Sequence, residues 1–317
     1  MVKKKLNVKK LGAFIGAIVL VVILGIVGIK KLVDESKLKK TIEYKLGEVG
    51  YSTNEIKVIK DTFDNDKIND LLNSKYKSNL TKFINEKYFL YKNLDRYLDY
   101  YSKNSSIKPS KVVGIVNTNA DTGWYSKIVD TDISKGEKML VNKFYKLGSD
   151  YEPSDLKLVS SSYAYSGKYV SESIYDDLIN MLSDAKDAGY TLVVSQGYRS
   201  YADQEEAYND IESSSGEDNA DRLAARAGHS EYQTGLSVVI KPYNKEVEEG
   251  KQYDENDWLL KNSYRYGFIL RYPENTSDIT GFETDMWRFR YVGTDIARKI
   301  HEENITFDEY YAYYLNK

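Results

Sequence analysis

Residues 11–29 carry no charge and are rich in Val, Ile and Leu. The run is as long as a helix needs to cross the hydrocarbon core of a bilayer. Lys3, Lys4, Lys5, Lys9 and Lys10 precede it. This excess of lysine puts the N-terminus in the cytoplasm and everything after the run outside. A cleaved signal peptide is the alternative. The run is long for one and no clear A-x-A site follows it, so an uncleaved anchor is expected, with the chain held on the cell membrane as a single-pass protein. Only the chain beyond residue 33 then remains to build a water-soluble core. The expected divisions are 1–33 (cytoplasmic lysines and transmembrane anchor), 34–109 (helical stalk or subdomain) and 110–317 (a large globular domain).

Composition removes several kinds of chemistry. The chain of 317 residues has no cysteine, which excludes disulfides, thiolate nucleophiles and Cys-ligated metals. It has two histidines, His229 and His301, and they are not spaced as a His-based zinc site requires. A formal net charge of -3 gives no electrostatic case for a nucleic acid partner.

In the 34–109 segment, Ser52-Thr53-Asn54-Glu55 reads as a capping box, and apolar residues recur at helical spacing: Ile56, Val58 and Ile59, later Leu71 and Leu72, and then Leu80, Phe83 and Ile84. Residues 112–116 (Val-Val-Gly-Ile-Val) read as a short strand. Residues 174–188 form an amphipathic helix pattern, with Ser173 as N-cap and Gly189 as its stop. Strands are expected at 191–195, 236–240 and 289–292, and helices at 202–209, 257–266 and 295–303. Helices packed on a small mixed or antiparallel sheet make the fold class α+β.

Three blocks carry the chemistry: residues 195–201 (S-Q-G-Y-R-S-Y), residues 228–240 (G-H-S-E-Y-Q-T-G-L-S-V-V-I) and residues 285–293 (D-M-W-R-F-R-Y-V-G). They resemble the signature blocks of VanY-type D-alanyl-D-alanine carboxypeptidases, whose second block reads S-x-H-x-x-G-x-A-x-D and third E-P-W-H-x-R-Y-V-G. The resemblance extends over roughly residues 137 to 314 and includes Trp258-Leu259, Gly267-Phe268-Ile269-Leu270-Arg271-Tyr272-Pro273 and Ile305-Thr306-Phe307-Asp308-Glu309-Tyr310. It implies the LAS/hedgehog-type metallopeptidase fold for 110–317.

The resemblance also implies zinc, held by two His and one Asp, with a Glu as general base. Here the first His position is Tyr232, the Asp position Val239, the second His position Arg288 and the Glu position Asp285. A phenol is a poor zinc ligand, valine has no donor atom and arginine is a permanent cation. No metal cofactor is therefore expected. Asp285 keeps a carboxylate at the general-base position but is one methylene shorter, and Arg288 is expected to pair with it beside the vacated metal volume. His229 matches a family His that is not a ligand, and His301 falls on a surface helix. Arg199, Gln204 and Ser230 match substrate-facing positions. The expectation is a pseudoenzyme that binds a peptidoglycan stem peptide ending in D-Ala-D-Ala, or a cell-wall protein. The alternatives are an active D,D-carboxypeptidase with an unconventional metal site, and an envelope scaffold that binds no ligand.

Overall fold

The computed structural model describes residues 24–316 except 35, 249, 250 and 252. Apart from 24–29, the run at 11–29 lies outside the described residues. Among the described residues, no helix is long and apolar enough to cross a membrane. Contacts divide the chain between Leu94 and Asp95.

In the first unit, the capping box at Ser52 forms as its sequence predicts. Ser52 Oγ accepts from the Glu55 amide at 3.4 Å, and Glu55 Oε2 accepts from the Ser52 amide at 2.9 Å. The helix it starts, Thr53–Thr62, buries Ile56 and Ile59. Ile42–Val49 contributes Leu46, Asn65–Leu72 contributes Ile68 and Leu71, and the single turn Leu80–Phe83 contributes both its ends. Most of the periodic apolar positions thus close a small helical core, while Val58 and Leu72 stay half-exposed.

In the second unit, residues 112–116 are helical, not a strand. They belong to the helix Pro109–Asn117, which has proline in its first turn. All five residues are buried. A short apolar run buried on every side has no period to distinguish strand from helix, and the proline was the available signal for a helix start.

The central sheet has four strands: β5 (Leu192–Gln196), β6 (Ser237–Pro242), β7 (Phe268–Tyr272) and β8 (Asp285–Tyr291), in the spatial order β5-β6-β8-β7. Every neighbouring pair is antiparallel. Four short strands precede them, pairing β1 (Val129–Asp130) with β2 (Tyr145–Lys146) and β3 (Leu156–Leu158) with β4 (Tyr169–Ser171). The helix Tyr175–Asp187 packs Leu178, Met181, Leu182 and Ala185 against Val194, Val238, Ile240 and Phe289 of the sheet. A 3-10 turn, Glu172–Ile174, precedes this helix and is capped by Ser171, whose Oγ accepts from the Ser173 amide, so the cap falls two residues ahead of Ser173. A second cluster joins Ile296, Ala297 and Ile300 of the helix Thr294–Glu303 to Ile269, Val292 and Phe307.

Strand alternation sets up the site. In β6, Val238 and Ile240 are fully buried in the core, while Val239 and Lys241 are only half-buried and line a cleft. The register shifts between Val194 and Gln196 in β5 and between Leu270 and Tyr272 in β7. Bulges of this kind re-aim side chains, and both Gln196 and Tyr272 border the same cleft.

Candidate functional site

The cleft has a volume of about 340 Å³. Arg199 enters it from the loop just past β5, Tyr232 from the 3-10 turn Glu231–Thr234, Val239 and Lys241 from β6, and Arg288 from β8. Val239 and Arg288 are direct cross-strand partners, so their side chains share one face of the sheet.

Two cations lie over the Tyr232 ring. The Arg288 guanidinium lies 4.6 Å from its ring centroid and the Arg199 guanidinium 5.0 Å. Arg288 also lies 5.3 Å from the Tyr272 ring. Both distances to Tyr232 are within cation–π range. Burial pushes the Tyr232 hydroxyl above the ordinary phenol value, against the pull of Arg288. Arg288 Nε stands 3.1 Å from Asp285 Oδ2, a charge contact whose angle makes no hydrogen bond. Burial opposes the charge on Arg288, but the surrounding Tyr232, Asp285, Tyr272 and Glu231 together outweigh it and raise its pKa. Asp285 Oδ1 meanwhile accepts from the Trp287 amide at 3.1 Å.

Arg199 donates from Nη1 to Gln204 Oε1 at 3.1 Å, and Gln204 Nε2 donates to the Ala225 carbonyl at 2.7 Å. Gln204 is buried behind Arg199 and does not line the cleft. Ser230 is buried too; its Oγ caps the 3-10 turn by accepting from the Tyr232 amide at 3.4 Å. Of the three expected substrate-facing residues, the structure brings Arg199 to the cleft wall and puts Gln204 and Ser230 in support of Arg199 and Tyr232. The loop carrying Arg199 is tightly held. The Tyr198 amide donates to the Tyr169 carbonyl of β4 at 2.7 Å, and a Cβ on Gly197 would stand 2.3 Å from that carbonyl oxygen.

Beneath the 3-10 turn lies a buried charge network. Glu231 Oε1 meets Arg271 Nε at 2.8 Å and Arg290 Nη1 at 3.2 Å, and Arg271 Nη1 meets Asp308 at 2.6 Å. The residue next to Tyr232 is thus tied to two strands of the sheet and to the turn Phe307–Tyr310. Neither histidine reaches the cleft. His229 Nδ1 bonds the Asn142 carbonyl at 2.7 Å, and burial lowers its pKa. His301 stacks on Tyr264 at 3.9 Å.

Sequence reasoning missed several cleft residues. Lys241 was readable from alternation, two positions beyond Val239 on one strand face. Arg222, which pairs with Glu283 across the rim, carries no local pattern.

A model of the family described as VanY, D-alanyl-D-alanine carboxypeptidase, matches residues 167–294. A solved structure of the LdcB LD-carboxypeptidase is 35% identical, with a TM-score of 0.55, over 59% of this chain and 91% of that one. The chain belongs to the VanY family. The putative carboxypeptidase YodJ of Bacillus subtilis (strain 168) is 37% identical over 54% of this chain and 66% of the relative. The structure of VanYB in complex with D-alanine-D-alanine is 28% identical, with a TM-score of 0.50, over 57% of this chain and 98% of that one. The chain spans 61% to 66% of the length of the curated relatives it matches first.

The VanY family is zinc-dependent, and the residues at the positions that the resemblance assigns to its ligands do not fit the metal. Val239 offers no donor atom. Arg288, its cross-strand partner, brings a fixed positive charge to within 4.6 Å of the Tyr232 ring. Tyr232 is kept protonated by burial. A divalent ion needs three anionic or neutral donors converging on one point, and this constellation supplies cations around a neutral phenol. Among the described residues, no group of three or more His, Asp or Glu is arranged to hold a metal ion.

Proposed function

We propose that this chain is a membrane-anchored, outward-facing VanY-type protein that has lost zinc-dependent hydrolysis and uses its cleft to bind peptidoglycan stem peptides. The observation that carries the reading is the Arg288–Tyr232–Arg199 stack. It replaces a dissociable metal charge by guanidinium groups, which bind carboxylates. The loop that bears Arg199 is retained and buttressed by Gln204, as a ligand-binding role requires. The anchor rests on the lysine-flanked apolar run at 11–29.

The test is metal content together with release of D-alanine from a pentapeptide ending in D-Ala-D-Ala, on the purified full chain. The reading expects no bound zinc, no release, and peptide binding that Arg199→Ala removes. Stoichiometric zinc with metal-dependent release would overturn it.

A further inference from the structure

The cleft contains four cations and two carboxylates. Arg222 is paired with Glu283, and Arg288 stands against Asp285. That leaves Arg199 and Lys241. Arg199 bonds only the neutral amide of Gln204 and a backbone group by its own amide, Asp203 acts on it only at longer range, and among the described residues neither it nor Lys241 has a carboxylate within ion-pair distance. The next lysine along, Lys245, is already taken up by Glu255 at 2.9 Å.

These two cations without an ion pair stand at opposite ends of the cleft. Arg199 follows Gln196, and Gln196 is opposite Val239 in the sheet, whereas Lys241 is opposite Val193. Lys241 therefore lies two residues, about 7 Å, along β6 from Val239 and away from Arg199. Between the two ends, the floor is the Tyr232–Arg288 stack and Val239. An extended peptide advances about 3.3–3.6 Å per residue, so a ligand lying along β6 spans both ends within a few residues.

We propose that Lys241 is a second anion anchor, so that the cleft takes a short peptide carrying two carboxylates, one met by Arg199 and the other by Lys241. This rests on the stem-peptide reading above and adds to it a requirement for charge at a defined place. A ligand with one carboxylate leaves one cation unmatched in a partly desolvated cleft, and such unmatched charge discriminates strongly between ligands. In a stem peptide, the second carboxylate has two sources: the free α-carboxylate of a γ-linked glutamate, or the side-chain carboxylate of a diamino diacid at the third position.

The experiment is calorimetric titration of the full chain with three pentapeptides. The first is L-Ala-γ-D-Glu-L-Lys-D-Ala-D-Ala. In the second, the glutamate α-carboxylate is an amide. The third keeps that amide and has meso-diaminopimelate in place of lysine. At least one of the two peptides with two carboxylates is expected to bind 10-fold or more tighter than the amidated lysine peptide, and which one does so identifies the source. Lys241→Met should bring the favoured peptide down to the affinity of the amidated one, and Lys241→Arg should keep the preference. Equal affinity of the wild type for all three, or a preference that survives Lys241→Met, overturns the inference and leaves the stem-peptide reading standing. Failure of all three to bind overturns both.

Discussion

Three side chains decide the chemistry of the cleft. Arg288, Tyr232 and Val239 each fail as a zinc ligand for a different reason: one is a cation, one is a buried phenol held above its ordinary pKa, and one has no donor. The repair follows from the same geometry. The combined change Tyr232→His, Val239→Asp and Arg288→His should give stoichiometric zinc by elemental analysis, and none of the three single changes should. Deeper in the molecule, Arg271 holds Glu231 and Asp308 together with no exposure of its own side chain. Arg271→Met leaves two buried carboxylates with reduced compensation and should cost about 3–5 kcal/mol in urea unfolding. The resemblance marks Tyr232, Val239, Arg288 and Asp285 as departures from the family pattern, because they fall in a frame that includes Gly228-His229-Ser230 and Trp287. It did not show the stack, since Arg199, Tyr232 and Arg288 come from three separate segments and meet only through the sheet.

At the scale of elements, the legible features were those with a local cause. The box at Ser52, the amphipathic stripe of Tyr175–Asp187 and the strands around Val194, Val238 and Phe289 each follow from a cap or a period. The helix Pro109–Asn117 did not, because Val112 to Val116 are buried on every side. The supports of the Arg199 loop were also beyond local pattern: the close approach of Tyr169 to Gly197 depends on β4, which lies well before it in the chain. That approach has a testable consequence. Gly197→Ala puts a methyl group into the Tyr169 carbonyl, so either β4 or the Arg199 loop must move. Peptide affinity and unfolding free energy should fall together, by ~10-fold and by roughly 1–3 kcal/mol as for other overpacked sites, measured by titration and urea melts on one preparation.

Across the whole molecule, the response to pH is set partly by Lys143. Its ammonium donates to the Asp221 carbonyl at 2.6 Å and faces the rings of Phe282, Tyr125 and Trp124 at 4.6, 5.0 and 5.5 Å. Burial, against the pull of Asp221, lowers its pKa from 10.5 to about 8. Between these values the unfolded chain holds the proton more than the folded chain does, so the contribution of Lys143 to stability rises with pH from 8 to 10.5 and is least below 8. Urea unfolding at pH 7.5, 8.5 and 9.5 should show the wild type gaining on Lys143→Met as pH rises, by up to about 3 kcal/mol over the full window. The central charge of the cleft behaves differently. Arg288 is held in the sheet opposite Val239, and its positive charge is covalently part of a strand. It has no off-rate, cannot be stripped by a chelator and does not depend on what ions the surroundings supply. A cleft built this way keeps its electrostatic character when zinc is scarce, and under the binding role proposed above its occupancy would follow peptide supply rather than metal supply.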